Sequence, residues 1–572
     1  MTTLDMTPGA QIPRTDAGPQ TAVTQALSSA AYRDGEISEF VGKVTAATEK
    51  KGRFSLFRPN LGEAFSRAVI ARTLGAGRKP VVPSFGTDTR QIVEHCLAAQ
   101  EIRDARDRRL TTITVVTGVL FLPGTLIWLA AFQLRAWLKK DSPDRAGLYG
   151  GLVLVGAAAI AVLLALRPPA GGLFGIYLRV VMLAPVIGWY LAKRIVLRTT
   201  EDLRARWQAL VEGSAVAATV PKAVPRDDLD KKAADLRAKL GRLEAEQETN
   251  VQHYAGPKGI LGVGKRWGEW RLIDVLQPAE GHADFRAFHP WDLVRKIAGR
   301  LKGLGISEVA NSGMTNVSVK QWVVLEVGES ADEISRPGGA DMDGDRMREF
   351  AVQTVADRQT FAGGGPRHYL ATQFITFDGK LIITFTVTVT VLANTLTVTV
   401  AGYALGPVNG VFFDKPKPKE KTEPKTGKFW EERTIQLPLI DNDEVVRQAV
   451  RAPLVRAPGL LSWLGGGLGL PEPFGLRHAW ASPPWGSRFM TDNALNASVP
   501  VLSAVHAATL EFLEEHDLDT DRFKNRASII KSEAQGTRPF RVDSYDAGTS
   551  VRSWAARTPG GSSTPSTARS RT

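Results

Sequence analysis

Three apolar segments follow in close succession at residues 111–134, 148–166 and 172–192, and they constrain the fold of this chain most strongly. Each has about the length, roughly 20 residues, that a helix needs to cross a hydrocarbon core of ~30 Å. Because backbone N–H and C=O groups inside a bilayer must be paired within the chain, the segments should be helices. The sequence therefore predicts a membrane protein with an α-helical block of two or three transmembrane helices.

Basic residues flank the apolar segments, and their positions leave two topologies open. They stand before the first segment, after the first and after the third: Arg103, Arg106, Arg108, Arg109, Lys139, Lys140, Lys193 and Arg194. We interpret them as membrane-interface residues, because anionic headgroups and the cytoplasmic side favour Lys and Arg. Three complete spans would leave one basic cluster outside. Two spans after a re-entrant wedge would not, and a helix can bend at Leu122–Pro123–Gly124.

Charge also predicts which side of the membrane the rest of the chain occupies. The turn at residues 167–172 carries little charge, whereas a basic stretch follows residue 192. The positive-inside tendency predicts a multi-pass protein of the cell membrane with a cytoplasmic C-terminal domain. The N-terminus has no signal peptide, and the single cysteine, Cys96, excludes a disulfide framework, which fits a reducing compartment. The high Ala, Gly and Arg content is typical of a bacterial chain.

Composition shifts divide the remainder of the chain. A disordered N-terminus (1–25) and a helical membrane-proximal region (26–110) precede the apolar segments. After these segments we expect a helical, coiled-coil-like connector (201–253), a soluble α+β domain (254–413), a charged Pro-rich loop (414–428), a C-terminal extension of the domain (429–546) and a disordered tail (547–572).

The α+β domain has the clearest β pattern of the chain. Strands at 368–377, 380–391 and 395–403 should form an antiparallel meander, joined by turns at residues 378–379 and 393–394. In the middle strand, threonines alternate strictly with Phe and Val. We expect the Phe and Val face to be buried and the threonine face to be wetter.

Two further segments each allow two interpretations. Residues 227–248 place leucines at alternating spacings of four and three, so they predict either a homo-oligomeric coiled coil or a helix packed within the chain. Residues 451–489 are rich in Leu, Gly and Trp but too broken to span a bilayer. Trp463 in this stretch is a candidate interface residue, and the alternative is an irregular segment packed on the domain.

Motifs for catalysis or cofactor binding fail on inspection. Residues 259–265 fit G-x-x-x-x-G-K, but Arg266 follows where a P-loop needs Ser or Thr, and no apolar strand precedes it. The histidines show no paired-ligand spacing. We therefore expect no cofactor and identify no catalytic residue.

An acidic loop, Asp341, Asp343 and Asp345, is the only metal candidate that we retain. An EF-hand would need Gly at its sixth position and Glu at its twelfth, where this chain has Arg346 and Val352. A solvated acidic loop explains the same residues without a metal.

Two functions follow from these patterns. The first is a non-enzymatic membrane protein that anchors a large α+β domain as a scaffold or as part of a membrane assembly. Its partners would be anionic headgroups, which suit the net charge of +13, and a protein. The second is a membrane-tethered, metal-dependent enzyme that uses Asp341, Asp343 and Asp345. Nucleic-acid binding has no support, because no basic stripe with interleaved aromatic residues is present outside the membrane flanks.

Overall fold

The computed structural model describes most of the chain between residues 21 and 524. Side chains and backbone are described for residues 21–44, 46–141, 155–163, 166–167, 172–181, 183–213, 231–305, 314, 317–328, 334, 338–359, 365–418, 438–521 and 523–524, with some side chains inside helices excepted. The backbone alone is described for the strands at 11–13, 219–221, 420–425 and 428–436. The predicted disordered tail, residues 547–572, lies outside this part, whereas residues 22–25 of the predicted disordered N-terminus are helical.

Fourteen helices are present in the described part of the chain. They are α1 (Ala22–Ser29), α2 (Ile37–Lys43), α3 (Leu61–Leu74), α4 (Thr89–Ile113), α5 (Leu122–Asp141), α6 (155–163), α7 (Gly172–Val181), α8 (Leu183–Glu212), α9 (Lys231–Gln247), α10 (Pro290–Lys302), α11 (Glu349–Asp357), α12 (Asn442–Arg451), α13 (Pro458–Gly465) and α14 (Arg488–Glu515).

The strands are shorter and more scattered. They are β1 (Gln11–Pro13), β2 (Thr48–Lys51), β3 (Thr219–Pro221), β4 (Val251–Tyr254), β5 (Lys265–Val275), β6 (Val317–Glu326), β7 (Met342–Asp343), β8 (Arg346–Met347), β9 (Arg367–Thr376), β10 (Leu381–Leu392), β11 (Thr395–Leu405), β12 (Glu420–Lys425), β13 (Lys428–Gln436) and β14 (Gly466–Gly469). β12 lies within the predicted Pro-rich loop (414–428) and pairs antiparallel with β13, so this part of the chain is not a simple loop.

Polar side chains fix where the helices begin. Asn60 accepts a hydrogen bond from the backbone N–H of Glu63 at the start of α3, and Asp88 does the same for Gln91 in α4. In α10, His289 and Asp292 form a reciprocal capping box. Such caps satisfy backbone donors that have no partner inside the helix.

A mixed six-stranded sheet in the order β4-β6-β9-β10-β11-β5 forms the core of the α+β domain. Only β4 and β6 are parallel, and the other pairs are antiparallel. The predicted meander is confirmed as β9, β10 and β11. At its second turn, Ala393 and Asn394 both have positive φ, so a two-residue connection joins Leu392 to Thr395.

Both faces of this sheet are covered at one end. Phe385, Val387 and Val389 are buried on the face that packs against α10 and α14, as expected. The prediction of a wet threonine face is wrong for Thr384 and Thr386, which are 0% and 1% exposed. Phe85, Ile260 and Val263 pack with Trp322 over this end of the sheet, and Phe85 stacks on Trp322 with ring centroids 5.4 Å apart. Only the outer half of the threonine face, from Thr388 onward, is partly exposed.

The N-terminal helices form a second core together with distant parts of the chain. Helices α1 to α4 pack against the end of α8, where Leu203, Trp207 and Leu210 are buried, and against α9. Residues 408–412 and 468–480 return to the same core and contribute Phe412, Trp480 and other apolar side chains. Segments on either side of the apolar runs are therefore packed together.

The apolar face of α9 packs against other helices of the same chain. Leu240 and Leu243 are buried in the N-terminal core, and the pattern predicted over residues 227–248 is one helix packed on α3 and α4 in this structure. Leu229 of that pattern lies outside the described residues. The packed-helix interpretation accounts for the spacing without a second chain.

A glycine-rich joint connects the C-terminal extension to the N-terminal core. β14 pairs antiparallel with β2, so Gly466 lies opposite Lys51. A Cβ on Gly465 would lie 1.9 Å from the carbonyl oxygen of Phe57, and one on Gly466 would lie 1.9 Å from that of Lys50. Larger residues would therefore push these two parts of the chain apart.

Candidate membrane-interface site

A sharp bend interrupts the first apolar segment just before Leu122–Pro123–Gly124, where the wedge alternative would bend. α4 continues through a π-helical turn, Thr114–Val119, and α5 then leaves at 108° to it. Pro123 lies in the first turn of α5, where its missing N–H removes no helical hydrogen bond. The π-helical turn and Pro123 together explain why the helix changes direction here.

Local side chains donate hydrogen bonds to backbone carbonyls at the bend. The hydroxyl of Thr125 donates to the carbonyl oxygens of Gly118 and Phe121, at 3.0 and 3.1 Å. The hydroxyl of Tyr177 in α7 lies 3.5 Å from the carbonyl oxygen of Leu120. Unpaired backbone carbonyls are costly wherever water is excluded, so these contacts stabilise the bend.

The following helix packs closely on the π-helical turn. A Cβ on Gly188 in α8 would lie 2.1 Å from the side-chain oxygen of Thr117, so only glycine permits this approach. Large apolar side chains on these helices nevertheless face outward, among them Leu120, Leu126, Leu163 and Ile187. By length and composition, one described helix is able to cross a membrane: Gly175–Glu212, which takes in most of α7 and all of α8. The bent pair α4–α5 would be a second if it counts as one span.

A buried ion pair lies just beneath the first apolar segment. The guanidinium of Arg451 donates to both carboxylate oxygens of Glu63, at 2.5 and 2.6 Å, and Arg67 approaches the same carboxylate at 2.8 Å. Burial alone would raise the pKa of Glu63, but Arg451 and Arg67 outweigh it and hold that pKa well below its usual range. The pair joins α3 to α12 across the interior.

Two of the predicted interface arginines also belong to this interior. Arg103 is buried and donates to the carbonyl oxygen of Ala31 at 2.7 Å, and burial lowers its pKa to about 10. Arg106 is buried and pairs with Asp107 at 2.7 Å. Neither can reach a headgroup without leaving these partners. Arg108 and Arg109, by contrast, are exposed.

A second buried polar contact lies nearer the N-terminal end of α4, at His95. The hydroxyl of Tyr32 is 3.0 Å from Nδ1 of His95, and burial lowers the pKa of His95 to about 3. Cys96 is fully buried, and burial raises the pKa of its thiol to about 12. These groups are held neutral in the folded protein.

The remaining predicted basic residues differ in their surroundings. Lys193 and Arg194 lie over the rings of Trp189 and Tyr190, at 5.2 and 5.1 Å from the ring centroids. This geometry places cations beside aromatic residues at the end of the third apolar segment, as in an interfacial belt. Lys139 and Lys140 belong to the end of α5, and their side chains lie outside the described part.

Trp463 lies on an exposed apolar patch that two distant segments build. It is 51% exposed, and Leu460 in the same helix and Phe54 are 47% and 55% exposed. The guanidinium of Arg53 lies 4.3 Å from the centroid of the Trp463 ring, and the backbone N–H of Phe54 donates to the carbonyl oxygen of Leu464 at 2.9 Å. We call Phe54, Leu460 and Trp463 the apolar patch.

A cleft of about 1080 Å³ runs from this patch to the start of the first apolar segment. Its wall includes Trp463 at one side and Arg108 and Thr111 at the other. Further cations on the wall are Lys50, Arg67 and Arg456, and the carboxylates are Asp104 and Asp107. Charged and apolar groups therefore meet at the level where α4 enters its apolar part.

The acidic loop does not gather into one site. Asp341 and Asp343 are exposed on the β7–β8 hairpin, and Asp343 lines a polar cleft. Asp345 instead lines a separate small cavity together with His253. Among the residues that the structure describes, no three His, Cys, Asp or Glu side chains are arranged to hold a metal ion.

Sequence reasoning missed Glu63, Arg451 and Phe54. Each looks like an ordinary surface residue in a helix or loop, and only long-range packing brings them to the site. A weak signal existed for the patch, since the tract Gly465–Gly467 indicates a close approach of another backbone.

Comparison with known proteins adds one finding. A family model described as an AbeC-like domain matches residues 269–540, which is slightly less than half of the chain. The match begins in β5 and ends after α14, so it leaves out α1 to α9. No curated protein and no solved structure is significantly similar to the chain.

Proposed function

We propose that this chain is an integral membrane protein that anchors a large α+β domain at the bilayer surface as a non-enzymatic scaffold. The observation that carries the proposal is the outward-facing apolar surface of its helical block. Only 29% of the most apolar 18-residue stretch of Gly175–Glu212 is buried inside the protein, whereas a core helix of a soluble protein is mostly buried. Lipid tails would cover the remainder.

The shared core favours the wedge over three complete spans. Helices α1 to α3 and most of α4 precede the first apolar segment, and residues 408–412 and 468–480 follow the last one, yet they pack in one core. Two parts of one core lie on one side of a bilayer. The chain therefore crosses an even number of times, with the bent first segment as a re-entrant wedge and the second and third as spans.

Charge favours the cytoplasmic side for this core. The exposed Arg108, Arg109 and Arg194 lie next to the apolar segments, and the turn near residue 167 is poor in charge. With the wedge, all basic clusters fall on the same side, as the positive-inside tendency requires. For the scaffold role, the α+β domain offers β4 and β5 as the edge strands of its sheet and a polar cleft beside β6.

Extraction of membranes tests the anchor. Membranes that contain the expressed chain are washed at high pH with sodium carbonate and then treated with a mild detergent. The proposal expects the chain to stay in the membrane through the carbonate wash and to enter solution only with detergent. Release by carbonate alone would show peripheral attachment and would contradict it.

A metal-dependent enzyme is the alternative, and one observation favours it: Asp345 and His253 line the same small cavity. Calorimetric titration of the purified chain with Mn²⁺ or Zn²⁺ tests this alternative. It expects binding that is lost in Asp345→Asn and retained in Asp341→Asn, because Asp341 lines neither cavity. Equal heats for all three proteins would remove the alternative.

A further inference from the structure

The cleft between α3, α4 and α13 has an excess of unpaired cations. Arg108, Lys50 and Arg456 line it, and within the described part of the chain none of them forms an ion pair with a carboxylate. The Nε–H of Arg108 donates to the backbone carbonyl oxygen of Asp104 at 3.3 Å, and Arg108 also acts on the nearby Asp104 carboxyl. The two carboxylates on its wall contribute little free negative charge to the cleft. Asp107 pairs with the buried Arg106 at 2.7 Å, and burial together with the neighbouring Asp107 raises the pKa of Asp104. The cleft is therefore suited to an anion.

The rim of the same cleft is apolar. Trp463 lines it, and Leu460 and Phe54 extend this surface outward from it. An exposed apolar patch beside cations is the arrangement of a membrane-interface element, because aromatic residues enter the headgroup region while Lys and Arg meet anionic lipids. A soluble anion such as phosphate would use the cations and leave the patch without a partner.

The position of the cleft along α4 matches the membrane surface. Arg108 and Thr111 lie on its wall, and Thr111 is the first residue of the first apolar segment. A headgroup in the cleft would thus lie one turn from the point where α4 enters the hydrocarbon. The close joint at Gly465 and Phe57 holds the opposite wall in place, because no larger residue fits there.

We propose that this cleft binds the headgroup of an anionic phospholipid, with Arg108, Lys50 and Arg456 contacting the phosphate and the apolar patch contacting the acyl region. The inference rests on the membrane anchor proposed above and names the lipid class that the anchor selects. The volume, about 1080 Å³, is slightly above the usual range for pockets that hold small molecules, roughly 300–1,000 Å³, and leaves room for a headgroup together with part of its acyl chains.

Binding of short-chain lipids to the purified full-length chain in neutral detergent tests the inference. The probes are dioctanoyl phosphatidylglycerol, dioctanoyl phosphatidylcholine and inorganic phosphate, followed by microscale thermophoresis. Wild type should bind the phosphatidylglycerol more tightly than the phosphatidylcholine. The double variant Arg108→Gln/Arg456→Gln should weaken phosphatidylglycerol binding by about tenfold or more and leave phosphatidylcholine binding unchanged.

A matched control removes the same charge elsewhere. Arg266→Gln/Arg271→Gln replaces two exposed arginines on the edge strand β5 and should keep wild-type lipid preference. Circular dichroism checks that both double variants fold, and Lys50→Gln provides a milder change of the same kind. Trp463→Ser should weaken both lipids alike, because it removes an apolar contact.

Three results would overturn the inference. These are equal affinity of wild type for the two lipids, equal losses in both double variants, and competition by inorganic phosphate as effective as that of the lipid, which would indicate a soluble-anion site. Carbonate extraction is measured separately. Retention in membranes without lipid preference removes this site alone, whereas release by carbonate with an intact preference removes the anchor alone.

Discussion

The carboxylate of Glu63 and the guanidinium of Arg451 form a buried bidentate pair between residues 388 positions apart in the chain. Glu63 precedes all three apolar segments and Arg451 follows them. Both side chains are 5% exposed, so neither charge is solvated by bulk water. The pair therefore ties the two flanks of the apolar block into one body.

Removing one partner of this pair should destabilise the protein strongly. Arg451→Met removes both hydrogen bonds that Arg451 donates to the buried carboxylate of Glu63 and leaves Arg67 as its remaining ion-pair partner. Breaking a buried pair in this way typically costs about 3–5 kcal/mol. The double variant Glu63→Gln/Arg451→Met should recover part of the loss. Thermal unfolding in detergent measures both. The exposed pair Arg488–Asp492 serves as control, because Arg488→Met should change stability by less than about 1 kcal/mol. Equal effects of Arg451→Met and Arg488→Met would contradict the buried pair.

The two faces of β10 should respond differently along the strand. Val387→Asp places a charge in the main core and should unfold the domain, at a cost of several kcal/mol. Thr386→Lys should also be severe, because Thr386 is 1% exposed. Thr388→Lys, two residues on and partly exposed, should be tolerated. Circular dichroism of the three variants tests the order, and damage from Thr388→Lys as large as that from Val387→Asp would mean that the sheet is covered throughout.

The thiol of Cys96 should not react with maleimide in the folded protein. Cys96 is fully buried, and burial raises the pKa of its thiol to about 12, so the reactive thiolate is scarce at neutral pH. Maleimide should label it only after denaturation, as followed by mass spectrometry. Rapid labelling of the native protein in detergent would show that the N-terminal core opens readily.

Acidification should destabilise the fold from about pH 6.5 downward. Burial lowers the pKa of His95 and His368 to about 3 and that of His478 to about 4. Between those values and about 6.5 the unfolded chain binds more protons than the folded one. The free energy of unfolding therefore decreases as the pH is lowered, by up to about 1.4 kcal/mol per pH unit for each histidine.

Replacing a single histidine tests whether the buried histidines cause this pH dependence of stability. His368 offers the simplest case, because only burial shifts its pKa and its Nε2 lies 2.7 Å from Oε1 of Gln321. His368→Gln should flatten the dependence of the unfolding midpoint between about pH 7.5 and about pH 5. An unchanged slope would show that His368 accepts a proton without unfolding.

Local patterns predicted the elements of the fold better than their assembly. Strict alternation and turn residues located β10 and the turn at Asn394, and Pro123 located the bend, because these features act within a few residues. Burial of Thr386 did not follow from its strand, because the apolar cluster over that face of the sheet includes Phe85, which lies about three hundred positions away in the sequence.

The candidate site was predictable only in part. Trp463 and Arg108 were identified from aromatic and basic residues near apolar segments, and both line the cleft. Arg103 looked equivalent to Arg108, yet it faces inward to the carbonyl oxygen of Ala31. Which face of a helix meets protein and which meets solvent depends on partners from elsewhere in the chain, and the spacing of arginines does not encode it.

Single-cysteine accessibility tests the central claim, that both flanks of the apolar block lie on one side of the membrane. Because Cys96 is buried, Ser38→Cys in α2, Asn496→Cys in α14 and Arg167→Cys can each be made in the wild-type chain, and all three positions are exposed. Cells are treated with a membrane-impermeant maleimide before and after permeabilisation. We predict labelling of Arg167→Cys in intact cells, and of Ser38→Cys and Asn496→Cys only after permeabilisation. Labelling of Ser38→Cys and Asn496→Cys from opposite sides would contradict the shared core and restore three complete spans.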